Sequence, residues 1–160
     1  MSEPDNGGTA PGPETARAAA ASWHASCVAR HGVAVLLLGG SGSGKSDLAL
    51  RLLDRGFALV ADDRVLLRDG LAFAPDALRG LIEVRGLGLL RVPPVPHPVR
   101  VALAVALDGA GPRLPEPERH PALLVPLLRL AAFDGSTPLR IEIALDCLAG
   151  RRSLAEGALF

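Results

Sequence analysis

The sequence holds 160 residues, 49% hydrophobic and 21% charged, with seventeen basic side chains balanced by seventeen acidic ones. That length suits one domain and buries roughly two thirds of the surface its unfolded chain would expose. Zero net charge argues against nucleic-acid binding, which needs a cationic face to displace counterions. Five aromatic residues are too few for base-stacking RNA platforms, and no apolar run approaches the ~18 residues of a membrane helix. Cys27 and Cys147 fit no metal or redox spacing, so they read as two buried thiols of a reducing cytoplasm. Lys45 is the only lysine of the chain.

Residues 1–22 read as a disordered arm, rich in glycine, proline and alanine, with acids where a secretory signal would carry positive charge. Residues 25–30 and 33–38 read as strands, the second an unbroken apolar run suited to a sheet buried on both faces. A glycine-rich turn follows. Residues 47–53 show helical spacing, and Gly56 is placed to end that helix in a left-handed conformation. Residues 58–61 form another apolar strand, closed by Asp62 and Asp63. Asp69-Gly70 is a strong hairpin signal between strands at 64–68 and 71–74. Residues 99–107 alternate as a strand does, and 123–131 read as an edge strand because of Pro126. Thr137-Pro138 opens a helix through about Leu148. Residues 151–160 read as a fraying tail, so the domain proper spans 23–150. The pattern predicts an α/β domain with more hairpins than a simple doubly wound sheet.

Gly39-Gly40-Ser41-Gly42-Ser43-Gly44-Lys45-Ser46 satisfies the G-x-x-x-x-G-K-[ST] pattern in full. Glycines let successive backbone N–H groups point inward as an anion nest, and the following helix aims its positive dipole end at the same place. Lys45 is placed to reach the β- and γ-phosphates, and the Ser46 hydroxyl to ligate Mg²⁺. A buried strand entering and an amphipathic helix leaving supply the context such a loop needs. The expected ligand is ATP or GTP.

Asp62 and Asp63 end a strand that, in a parallel arrangement, opens on the same edge as the loop. Adjacent strand residues point to opposite faces, so the two carboxylates should not share one job. One can take a proton from an attacking hydroxyl while the other orients a metal-bound water or stays structural; the less favoured alternative is a solvated turn pair before the hairpin. Glu83, embedded in Leu81-Ile82-Glu83-Val84-Arg85-Gly86-Leu87-Gly88, must be exposed, paired or bound to a cation. Taken alone, the segment favours an ion pair with Arg85, two residues on along the same strand face. His24 alone reads as a structural residue at a strand start. His31, His97 and His120 show no metal spacing and read as surface or core residues.

The loop, the Leu59-Val60-Ala61-Asp62-Asp63 strand end and the 82–88 segment together resemble the catalytic domain of HPr kinase/phosphorylase. The resemblance is strong from about His24 to Val92 and weaker beyond. It implies a P-loop kinase domain with a mixed sheet and hairpins, of the HPr kinase/PEP carboxykinase-like type. It also implies an ATP- and Mg²⁺-dependent serine kinase acting on HPr, the phosphocarrier protein of the sugar phosphotransferase system. Such enzymes can also remove the phosphate, and they regulate carbon and nitrogen metabolism. A cytoplasmic hexamer, in a short form without the family's N-terminal domain, follows from the same likeness. By matching positions, Lys45 would hold the transferring phosphate, Ser46 and Glu83 would ligate Mg²⁺, Asp63 would be the base with Asp62 in support, and His24 would act near the phosphates. Arg113 resembles a family arginine that follows a variable insert.

Two departures stand out. Gly40 replaces an acid common in the family's loop. Residues 132–137 replace a proline-glycine-arginine-asparagine stretch and carry no basic residue, which predicts a chain that is mainly a kinase. The residues alone also admit a small-molecule kinase, although the short chain has little room for lid and acceptor-binding insertions, and a nucleotide-gated binding module, which would need no base.

Overall fold

A computed structural model describes residues 19–96 and 98–160; most of the expected N-terminal arm, and His97, lie outside the described residues. Ala21 and Ser22, expected in the arm, instead open the first strand. Strands β1 (Ala21–Arg30) and β2 (Val33–Leu38) form an antiparallel hairpin whose two-residue turn, His31-Gly32, has positive φ at both positions. Helix α1 (Lys45–Asp54) follows the glycine-rich loop, then β3 (Ala58–Ala61), the β4–β5 hairpin (Arg64–Arg68, Leu71–Phe73), the β6–β7 hairpin (Leu81–Val84, Gly88–Arg91), β8 (Val99–Ala106), β9 (Leu127–Arg129) and α2 (Thr137–Leu148).

The expected mixed sheet is present. β2, β8 and β9 run parallel side by side, and the remaining pairings of the main sheet are antiparallel. Hydrogen-bonded neighbours close a ring through β2, β1, β4, β5 and β8, so the sheet has two distinct interiors. The period-2 geometry of strands sorts side chains between them. Ala25, Cys27, Ala29, Ala34 and Leu36 face one core with Val60, Val65 and Val101, while Val28, Val35 and Leu37 face another that α1 and α2 cover with Leu48, Leu52, Ile141 and Leu145. This two-sided burial is why β2 carries no polar residue.

Helix α1 ends as Gly56 requires. Gly56 takes φ 93°, its N–H bonds the Leu53 carbonyl, and the Phe57 N–H reaches back to Leu52 O at 3.1 Å, a paired closure that leaves few carbonyls unsatisfied. Glu142 of α2 then ties the layers together. It accepts from Arg30 Nη1 of β1 at 2.5 Å and from Arg55 Nε at the end of α1 at 2.6 Å, with the Glu142 side chain only 13% exposed. Glu142→Gln leaves two guanidinium groups facing a neutral amide. It is expected to lower the unfolding free energy by about 1–3 kcal/mol, read from urea unfolding curves.

Two expectations about the chain's second half are corrected. The strand expected over 123–131 is confined to Leu127–Arg129, because Leu124 takes φ 59° and closes a turn onto the His120 carbonyl before Pro126. β9 does lie at an edge, against β8. The last ten residues do not fray: Leu159 packs into the helix-side core with Leu154 and Ala158, while Arg151 and Arg152 pair with Asp146. Cys27 and Cys147 are both free and buried, and burial pushes the Cys27 thiol far above its ordinary range.

Candidate active site

The glycine-rich loop lies at the carboxyl end of β2, where α1 begins. Gly42 and Gly44 take φ 77° and 95°, and the Ser43 N–H closes a turn on Gly40 O at 3.1 Å. Lys45, the first residue of α1, is buried, and its ammonium folds back onto Gly39 O at 2.8 Å and Gly40 O at 2.9 Å. Burial lowers its pKa from the usual lysine range, and the nearby Asp63 and Asp62 carboxylates partly oppose that shift.

β3 reaches the same edge as β2 because both run antiparallel to β1, which lies between them. The strand does not end at Asp62-Asp63; it continues as β4, still paired with β1, past a local interruption. There Asp63 takes φ 64°, and the Arg64 N–H bonds the Asp62 carbonyl at 2.7 Å, an i→i+2 closure around a non-glycine left-handed residue. Such a kink is strained, and it re-aims the two side chains. The expected divergence of the carboxylates is realised, by this turn rather than by the pleat alone.

Asp62 points inward and is buried. Its Oδ1 accepts from Ser26 Oγ at 2.8 Å and Ser46 Oγ at 2.7 Å, and its Oδ2 from the Glu83 N–H at 3.2 Å. Both oxygens are occupied, so Asp62 orients Ser46 and the start of the β6–β7 hairpin instead of offering a free base. Asp63 points outward, its side chain 72% exposed, with Oδ1 3.4 Å from His24 Nδ1. The opposite ring nitrogen, Nε2, lies 3.4 Å from Lys45 Nζ and 3.5 Å from Ser41 Oγ. The imidazole therefore stands between the two groups, Nδ1 facing the Asp63 carboxylate and Nε2 the Lys45 ammonium.

A cavity of about 550 Å³ is bordered by His24, Ser41, Lys45, Ser46, Asp63, Glu83 and Arg85, with Leu50, Val84 and Phe133 as its apolar lining. Residues from five separate stretches of chain therefore meet at one place. The ion pair that the 81–88 segment favours on its own is not formed among the described residues, because β6 ends at Val84 and Arg85 belongs to the turn. Arg113 is not brought to this cavity; it borders a separate, larger one with Leu114, Glu118 and Arg129. His120 serves structure, its Nδ1 accepting the Ala122 and Leu123 N–H groups at 3.2 Å each while its ring meets Trp23 at 5.4 Å.

Two contributors escape a reading of the sequence. Ser26 sits in an otherwise apolar strand, and a fully buried hydroxyl needs a partner, which turns out to be Asp62. Phe133 is far away in sequence and carries no local signal. As a metal site, the arrangement offers hard oxygen donors: the Ser46 hydroxyl and the exposed Glu83 carboxylate, beside Asp62. No group of three His, Cys, Asp or Glu side chains able to hold a metal by itself is found among the described residues. That donor set fits Mg²⁺, which keeps waters and shares phosphate oxygens instead of occupying an all-protein cage.

The profile of the HPr serine kinase C-terminal domain family matches residues 15–95, half of the chain. The chain belongs to this family. Over 74 residues it is 50% identical to the HPr kinase/phosphorylase of Caldanaerobacter subterraneus subsp. tengcongensis and 45% identical to that of Bacillus cytotoxicus. Each match covers 43% of this chain and 24% of the relative, so the likeness spans about a quarter of those proteins. The solved structure of the HPr(Ser) kinase/phosphatase from Coxiella burnetii superposes with a TM-score of 0.68 at 28% identity, covering 82% of this chain and 92% of that one. The HPr kinase fold therefore extends well beyond the family match, into the segments where sequence likeness fades. Among the described residues, no helix is long and apolar enough to cross a membrane.

Proposed function

We propose that the chain is an ATP- and Mg²⁺-dependent kinase that phosphorylates a serine of HPr in the cytoplasm, as part of phosphotransferase-system regulation. The observation that carries this reading is the convergence of the lone lysine, His24, Asp63 and Glu83 on one cavity at the start of α1. Family membership and the names of the relatives support HPr as the acceptor; the hexameric assembly of the proposal rests on the family resemblance alone.

In this reading, backbone N–H groups of residues 39–44 and the amino end of α1 cradle the phosphates. Lys45 exchanges its carbonyl partners for the terminal phosphate. Ser46 and Glu83 would hold Mg²⁺, with Ser46 oriented by Asp62; the bound cation would neutralise charge on the phosphate oxygens. Asp63, turned outward and steadied by His24, accepts the proton of the attacking serine as its Oγ bonds to phosphorus and the bond to the ADP oxygen breaks. Catalysis is then mainly positioning and charge neutralisation. Arg113 has no part in this scheme, since it borders the other cavity.

The experiment is incubation of the full chain with γ-labelled MgATP and purified HPr. Label on one HPr serine is the expected result; label on metabolites only, or on nothing, would refute the assignment. The direction of the reaction is a separate prediction. With no basic residue at 132–137, release of phosphate from phospho-HPr in the presence of inorganic phosphate is expected to be much slower than the forward reaction. Equal rates would contradict this.

A further inference from the structure

We propose that Phe133 is the platform on which the base of the bound nucleoside triphosphate stacks, making it a nucleotide-affinity residue of the site. The inference rests on the nucleotide-binding reading above. β2, β8 and β9 are neighbouring parallel strands, so the loops that leave their carboxyl ends open along one edge, where ligands of such sheets bind. The loop after β2 is the glycine-rich one. The loop after β9 carries Phe133, and it folds over against the first: a Cβ built on Gly44 would lie 2.8 Å from Phe133 Cζ.

The ring borders the same cavity as Lys45 and Ser46, beside Leu50, which is about one turn along α1 from Ser46. A ligand whose phosphates sit at the amino end of α1 therefore has an apolar wall where its nucleoside begins. The side of the cavity bearing Lys45, Ser46 and Glu83 suits a phosphate tail carrying its cation instead.

The position of Phe133 is built, not incidental. Arg51 of α1 donates to the carbonyls on both sides of it, those of Ala132 and Asp134, and to Asp47 Oδ2 at 3.0 Å. Thr137 Oγ1 fixes the loop from the other end through Ala131 O at 2.6 Å. Yet the ring these contacts hold is 70% exposed. In a chain with only four phenylalanines, one tryptophan and no tyrosine, an aromatic ring clamped in solvent over a phosphate-type loop has a ready partner in a flat base. Stacking alone does not read hydrogen-bonding edges, so it tolerates more than one base.

Titration calorimetry on the full chain, with MgATP and with magnesium tripolyphosphate, tests the assignment using wild type, Phe133→Ala and Phe133→Tyr. Phe133→Ala is expected to raise the Kd for MgATP about tenfold, equivalent to about 1.4 kcal/mol, and to leave tripolyphosphate unchanged; Phe133→Tyr should keep wild-type affinity for both. Equal weakening of both ligands in Phe133→Ala would make the ring a prop for the loop and overturn the proposal. Unchanged MgATP affinity would also overturn it, as would an effect confined to the KM for HPr, which would mark a protein contact. Wild type binding tripolyphosphate as tightly as MgATP refutes the base platform while sparing the phosphate site. Wild type binding neither refutes the nucleotide reading itself.

Discussion

Asp63→Asn is expected to lower the rate of phosphoryl transfer to HPr by about 10²–10⁴-fold, the usual contribution of a positioned general base, while MgATP still binds. Asparagine keeps the size of the side chain and its oxygen can face His24 Nδ1, which lies 3.4 Å from the carboxylate. What it loses is the ability to take a proton. The residue sits on a left-handed turn at φ 64°, a conformation that asparagine tolerates as readily as aspartate, so the fold should persist. Asp62 cannot substitute, since it is buried with its oxygens already bonded to Ser26, Ser46 and the Glu83 N–H. Single-turnover kinetics with a parallel binding measurement separates the two effects. Wild-type turnover by Asp63→Asn would remove Asp63 from the role of base.

Lys45→Met is expected to remove transfer by at least about 10²–10³-fold, the loss typical of deleting one group that stabilises developing charge in a water-poor site. MgATP affinity should fall with it, since no other lysine exists to replace the ammonium. Its effect on stability runs the opposite way. Burial holds the folded-state pKa of Lys45 below its ordinary value, which means the folded protein carries the charged form at a cost. That cost is full below the folded pKa and fades as pH rises through it toward the unfolded value of about 10.4. Near neutral pH the methionine variant should therefore unfold at a temperature no lower than wild type, although the Gly39 and Gly40 carbonyls lose their donor. A large drop in melting temperature would show that those two bonds outweigh the burial cost.

Most of the elements could be read in advance because local chemistry demanded them. Asp69-Gly70 and Gly56 adopt the positive φ their turns require, and the second helix opens at Thr137-Pro138 as expected, although Ser136 and not Thr137 holds the N-cap position. The glycine-rich loop and Lys45 were legible for the same reason. Less legible was anything set by pairing across the chain. Nothing local to Asp62-Asp63 says that β3 and β4 are one interrupted strand along β1, and the left-handed turn at Asp63 follows from that pairing. The ion pair between Glu83 and Arg85 was reasonable on strand periodicity and failed because the hairpin turns immediately after Val84. Ser26 joins the network behind the cavity, and Phe133 its lining, only through contacts with residues dozens of positions away. Leu159 likewise reaches the core through tertiary packing that no tail composition signals.

The most direct measurement is a crystal structure of the chain with Mg²⁺ and a non-hydrolysable ATP analogue. Lys45 Nζ is expected on the γ-phosphate, released from Gly39 O and Gly40 O, with the Asp63 carboxylate facing the same phosphoryl group and Ser46 and Glu83 on the metal. A nucleotide bound with Asp63 and Glu83 turned away from its phosphate tail would contradict it.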